Sequence, residues 1–113
     1  LTTETMIVDD FFHSACVLGP EILNWREIDL AAVTGRTIIN GTEVGSGRGR
    51  DIMGHPLNAL NWLANNLTHL GQTLKAGEFV MLGSMVECQW LSAGDKVEMQ
   101  ISNLGSISAQ FTK

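Results

Sequence analysis

Apolar residues recur along this chain with two periods: helices repeat every three or four positions, half-buried strands every two. Leu57, Leu60, Leu63, Ala64, Leu67 and Leu70 follow the helical spacing, while Asn58, Asn61, Asn65 and Thr68 lie largely on other faces. Pro56 suits the first helical position and Gly71 supplies a left-handed stop. The spacing therefore predicts one amphipathic helix of about four turns, lying on a sheet. Upstream, Ile28 to Val33 alternates as a strand would. Arg36-Thr37-Ile38-Ile39, Asn40-Gly41 and Thr42-Glu43-Val44 read as a two-residue hairpin, because Asn-Gly supplies the positive φ values of a type I′ turn.

Residues 1–5 form a polar lead-in to an apolar stretch, Phe11 to Leu18, which Gly19-Pro20 ends. After the helix a phrase occurs twice: Leu74-Lys75-Ala76-Gly77-Glu78 is echoed by Leu91-Ser92-Ala93-Gly94-Asp95. Each is a turn through Ala-Gly feeding a strand, and shared turn chemistry accounts for the likeness. Gly83-Ser84 ends a strand over Phe79–Leu82. A last hairpin joins Val97–Ile101 to Ser106–Phe111 through Asn103-Leu104-Gly105. The sum is a β-rich α+β unit of five to seven strands with one main helix.

The chain has 113 residues, 44% of them hydrophobic and 17% charged, which fits one folded domain rather than disorder. Seven basic against twelve acidic residues give a net charge of −5, which repels nucleic acid and anionic membrane surfaces. No apolar run approaches the roughly 18 residues of a membrane span, and no signal peptide is visible. Cys16 and Cys88 form no C-x-x-C pair and cannot make a disulfide framework or a zinc ribbon. Two buried free thiols in a reducing cytoplasm are expected. The chain begins at Leu1 rather than Met, so a processed or truncated N-terminus is expected.

No self-sufficient catalytic motif stands out. Gly45-x-Gly47-x-Gly49 with Arg48 and Arg50 has the glycines to approach a phosphate, but it lacks the Lys-Ser/Thr of a P-loop. It reads as a flexible strand-to-helix connection. His55 shapes the helix entry and His69 sits in the last turn. His13 lies inside an apolar stretch, where a polar group needs a partner; a structural role and a catalytic one are both open. Asp9-Asp10 offers at most one metal oxygen and reads as a helix cap or a solvated end. At Gly83-Ser84, a serine with free backbone amides makes a natural anion pocket, and a plain turn fits equally.

One set of blocks goes further. These are Gly45-Ser-Gly-x-Gly, Gly54-His-Pro-Leu-Asn-Ala-Leu-Asn-Trp-Leu-Ala-Asn, Leu74-Lys-Ala-Gly-Glu, Gly83-Ser84, Ala93-Gly-Asp and Leu104-Gly-Ser-Ile-Ser. In this order and spacing the chain, from about Met6 to Phe111, resembles the C-terminal half of the 2-keto-4-pentenoate hydratase and 4-oxalocrotonate decarboxylase family. That family lies within the fumarylacetoacetase-like superfamily. The resemblance implies a mixed β-sheet roll with one main helix, and a single domain over residues 1–113 that is the C-terminal part of a longer chain.

It further implies a homo-oligomeric, cytoplasmic lyase of aromatic catabolism that acts on a 2-hydroxy-alka-2,4-dienoate or a related 2-oxo acid with Mg²⁺ or Mn²⁺. The dication stabilises negative charge on the enolate oxygen. The family's glutamate ligands precede the matched region, so no metal ligand is expected in this chain, and the isolated chain is expected to be inactive. The segment that usually reads Asp-Asn-Ala-Ser-Ser matches Asp9-Asp10-Phe11-Phe12-His13, where Asp9 agrees and the serines do not. Gly83 and Ser84 match a substrate-contacting Gly-Ser, and Ser84 is the candidate for touching a carboxylate. The catalytic residue is unassigned; His13 is a candidate only from its place in the apolar stretch, not from the resemblance. Glu87, Cys88, Gln89 and Trp90 replace the small and proline residues common there, which implies an altered substrate choice. Hydration of the dienoate is the main reading. Decarboxylation of a 2-oxo-3-enedioate is the alternative, as is a non-catalytic domain kept for assembly if the chain is complete.

Overall fold

The computed structural model describes residues 2–8 and 13–113. Its centre is a four-stranded sheet of β1 (Thr34–Ile39), β2 (Thr42–Arg48), β3 (Lys96–Ile101) and β4 (Gly105–Gln110), in spatial order β2-β1-β3-β4. Every pairing is antiparallel. Among the described residues there are two α-helices, α1 (Thr3–Val8) and α2 (Pro56–His69). The β-rich α+β class with one main helix stands, with four strands among the described residues rather than five to seven.

Both hairpins form where the turn chemistry puts them. Asn40 and Gly41 take φ values of 51° and 83°, the two left-handed positions of the I′ turn. The ladder slips at Thr37/Ile38, leaving Val44 as a bulge in β2. At the far end, Gly105 (φ 102°) is already the first residue of β4.

Side chains of register partners share a face. The pairs Gly35–Ile101, Thr37–Met99 and Ile39–Val97, with Met99–Ile107 and Val97–Ala109, therefore build one apolar face. Arg36, Glu98, Gln100, Ser106 and Ser108 build the opposite, polar face. There Arg36 pairs with Glu43 (3.4 Å) and hydrogen-bonds Gln100. Residues 19–22 lie over the apolar face, where Gly19, Pro20 and Ile22 line a depression of about 290 Å³ with Met99 and Ile107. The buried centre is small. Among the described residues Val33, Gly35, Thr37, Gly49, Pro56 and Val86 are buried, and the Thr37 hydroxyl donates to Met99 Sδ at 2.9 Å.

Several expectations change. The predicted strand from Ile28 to Val33 is instead a bend at Ile28 and a turn at 30–32, following a 3-10 turn (Trp25–Glu27). Asp29 is the cause: its Oδ1 accepts from Ala31 N–H (3.1 Å) and its carbonyl from Ala32 N–H (3.0 Å), so the chain bends. The predicted strand Phe79–Leu82 has no ladder partner among the described residues. The lead-in instead forms α1, whose entry Thr2 caps by accepting from Thr5 N–H at 3.1 Å.

α2 starts at Pro56 with His55 as its cap, the His55 Nδ1 accepting from Leu57 N–H at 3.1 Å. It ends as the glycine demands: Gly71 (φ 72°) donates to Thr68 O (3.0 Å) and Gln72 to Leu67 O (2.8 Å), satisfying two terminal carbonyls. The amphipathic pattern predicts a helix lying on the sheet, yet α2 makes hardly any contact with the strands. Its Leu63 instead shares a groove with Leu74, Phe79, Val80 and Met81. The repeated phrase proves to be one turn used twice. Lys75 N–H donates to Glu78 Oε2 (2.9 Å) and Ser92 N–H to Asp95 Oδ2 (2.8 Å), around Gly77 (φ 88°) and Gly94 (φ 94°).

Candidate functional site

The bend at Gly83-Ser84 is fixed from both sides. On its C-terminal side, Met85 and Val86 press onto a patch of the sheet that has no side chains. Gly35 and Gly47 are register partners on β1 and β2, and Gly45 lies two positions before Gly47, so all three open on one face. A Cβ on Gly47 would stand 1.6 Å from the Met85 carbonyl oxygen, one on Gly45 2.9 Å from Val86 Cγ1, and one on Gly35 3.1 Å from Met85 Sδ. The approach of the Met85 carbonyl to Gly47 is open to glycine alone.

On its other side, Gly83 adopts φ 113°, and a Cβ there would sit 3.8 Å from Ile52 Cγ2. Ile52 directly follows the 3-10 turn Gly49–Asp51, where Arg48 N–H donates to Asp51 Oδ2 at 2.7 Å. The bend thus lies between the glycine patch of the sheet and the connection into α2.

Ser84 is exposed, and the N–H groups of Gly83, Ser84 and Met85 donate to no backbone carbonyl among the described residues. A hydroxyl beside unpaired amide donors can receive an anion such as a carboxylate. The conformation comes from sequence: Gly83 permits the positive φ, and Val86, 8% exposed, anchors the chain just beyond the bend.

The glycine run is therefore neither a flexible connection nor a phosphate cradle. Gly45 and Gly47 belong to β2, and Gly49 starts the 3-10 turn where a Cβ would stand 1.8 Å from Leu30 O. Sequence reasoning missed Met85 and Val86 as the residues that seat the bend; glycines at alternate strand positions, which leave one face bare, were the available signal.

His13 is exposed, so its imidazole does not need the partner that the apolar run suggested. Asp9 and Asp10 lie outside the described residues. Cys16 is half-buried and Cys88 exposed, which corrects the expectation of two buried thiols. Glu87, Cys88, Gln89 and Trp90 all face outward, with Trp90 fully exposed. Among the described residues, no three of His, Cys, Asp and Glu converge as metal ligands would. No described helix is long and apolar enough to cross a membrane.

A groove of about 500 Å³ runs beside α2, lined by Met53, Asn58, Trp62, Asn65 and His69 among others. A second, of about 490 Å³, lies at Arg36, Gln100, Ser102 and Ser106. Neither includes His13, Gly83 or Ser84, so the structure does not join these three candidates in one of these depressions.

Residues 4–112 match the family described as fumarylacetoacetate (FAA) hydrolase, C-terminal. The chain belongs to this family. It is 36% identical over 107 residues to 2-hydroxyhexa-2,4-dienoate hydratase of Comamonas testosteroni, covering 95% of this chain and 40% of that protein. It is 32% identical over 105 residues to 2-keto-4-pentenoate hydratase of Paraburkholderia xenovorans LB400, covering 93% of this chain and 39% of the relative. Among solved structures, 4-oxalocrotonate decarboxylase from Pseudomonas putida G7, complexed with magnesium and adipate, superposes with a TM-score of 0.72 at 35% identity. That match covers 76% of this chain and 33% of the decarboxylase. The chain thus spans about two-fifths of the length of the hydratases it matches.

Proposed function

We propose that this chain is the C-terminal domain, residues 1–113, of a metal-dependent lyase of the 2-keto-4-pentenoate hydratase type. The complete enzyme adds water to a 2-hydroxy-alka-2,4-dienoate. The observation that carries the reading is the match to a dienoate hydratase at 36% identity across 95% of the chain. The exposed Gly83-Ser84 bend, with its unpaired amides, supports a role in holding the substrate carboxylate. Ser84 donates its hydroxyl proton to a carboxylate oxygen, and the glycine patch under Met85 fixes where that hydroxyl stands. His13, exposed, is retained as a candidate for moving a proton.

The decarboxylase relative was solved with magnesium, and a divalent cation in the complete enzyme would act as a Lewis acid on the substrate's enolate oxygen. The described residues offer no complete ligand set for it. The family resemblance is what places the ligands in polypeptide outside this chain. The enzyme is further proposed to be a cytoplasmic homo-oligomer.

A specific observation also favours a second reading, the structural likeness to a decarboxylase. One experiment separates them. The full-length enzyme with Mg²⁺ should consume the dienoate absorbance and release no carbon dioxide, and a chelator should abolish the reaction. Carbon dioxide release from a 2-oxo-3-enedioate, without hydration of the dienoate, would establish the decarboxylase. No turnover of either substrate with the metal present would overturn both.

A further inference from the structure

Seven asparagines occur in the chain, and Asn40 alone precedes a glycine. Asn-Gly is the dipeptide in which the backbone nitrogen most readily attacks the side chain, because glycine puts no Cβ in the way. A Cβ at Gly41 would meet nothing within 4 Å, so that side of the turn is open space. The Asn40 carboxamide is nevertheless held at both ends. Its Nδ2 donates to Asp95 Oδ1 (2.8 Å), and its Oδ1 accepts from Lys96 N–H (2.9 Å). The Asn40 backbone N–H donates to Lys96 O at 2.9 Å as well. Attack requires the carboxamide to leave both partners and swing toward Gly41.

We infer that Asn40 is a latent deamidation site, locked while the β1–β3 seam is closed and modified when it opens. In the reaction the Gly41 nitrogen bonds to Asn40 Cγ, the bond from Cγ to the amide nitrogen breaks, and ammonia leaves with the proton from Gly41. Solvent water then opens the succinimide ring, giving aspartate or isoaspartate. In aspartate the donor that faced Asp95 becomes a carboxylate oxygen, so two like charges meet where a hydrogen bond stood. In isoaspartate Cγ joins the backbone and the carboxylate stands on Cα, so the donor to Asp95 is lost as well. Isoaspartate also lengthens the backbone within a two-residue turn whose geometry admits no extra atom. Each opening that ends in deamidation therefore makes the next closure weaker, and the change is irreversible.

The test uses the full-length protein that carries this chain, incubated at mildly alkaline pH with and without unfolding urea, with Asn40 conversion tracked by peptide mass mapping. If the modification draws on the open form, conversion in buffer should be about tenfold slower or more than in urea. Asn40→Asp should lower the urea midpoint, and adding Asp95→Asn should restore part of the loss. Asp95→Ala, which frees one end of the carboxamide, should speed conversion in buffer and leave the rate in urea unchanged. Equal rates in buffer and urea, or an Asp95→Ala rate in buffer equal to that of the parent, would overturn the inference.

Discussion

The carbonyl oxygen of Met85 lies so close over the Cα of Gly47 that a Cβ at position 47 would stand 1.6 Å from it. This contact joins two distant parts of the chain, and Ser84 is the next residue along from it. Gly47→Ala must displace backbone rather than a flexible side chain, so the cost should be that of an overpacked core, about 1–3 kcal/mol. Gly45→Ala meets only the Val86 Cγ1 methyl at 2.9 Å, which a rotation can relieve, and should cost less. Urea unfolding of both variants checks the order. Equal losses would mean that the Met85 carbonyl moves freely.

Ser84 is exposed and makes no hydrogen bond among the described residues, so Ser84→Ala should leave the unfolding midpoint of the full-length enzyme within error. Losing a hydrogen bond to a charged carboxylate should weaken substrate binding by about 1.5–3 kcal/mol, roughly ten- to a hundredfold in apparent affinity. An unchanged affinity would remove Ser84 from the site.

Asp95 gathers two donors on its carboxylate: Ser92 N–H first, then the Asn40 amide. Together they hold its carboxyl below the ordinary aspartate value. The unfolded chain then binds the proton more readily than the folded one. The stabilisation is present above the unfolded value of about 3.9 and is lost as pH falls from there through the folded value. Asp95→Asn should flatten this acid limb in a series of urea midpoints against pH. A slope equal to that of the parent would assign the acid sensitivity to other carboxylates.

At the entry to α2, the His55 Nδ1 accepts from Leu57 N–H, one of the orphan donors of the first turn. His55→Ala should cost about 0.5–2 kcal/mol, and His55→Asn, whose oxygen can take the same bond, should recover most of it. Urea midpoints of the three proteins decide this. An Ala variant as stable as the parent would show that the cap contributes nothing.

The legible part of the chain was local. Asn40-Gly41, Pro56, Gly71 and the Ala-Gly turns each specify their geometry within four or five residues, and each appears where the residues place it. The Ile28–Val33 alternation misled because Asp29 bonds its own neighbours and bends the chain, a choice that hydrophobic period does not report. Phe79–Leu82 carries strand composition, but a strand exists only with a partner, and none is supplied among the described residues. The seat of the candidate site was only half legible: alternate glycines mark a bare face but not what covers it. Nothing adjacent to Gly45 and Gly47 tells that Met85 and Val86 will rest on them, and the assignment of Ser84 came from family resemblance rather than from spacing.

The order of the strands bears on how the protein assembles. β1–β2 and β3–β4 are each joined by a short turn, whereas Ile39 must find Val97 across the whole of α2 and the Gly83-Ser84 bend. The short hairpins close in about 1–10 μs, while joining them requires closing a far longer loop against chain entropy. The slow step in folding is therefore the meeting of β1 with β3. Substitutions along that central seam should retard refolding, while those in either hairpin turn should mainly hasten unfolding.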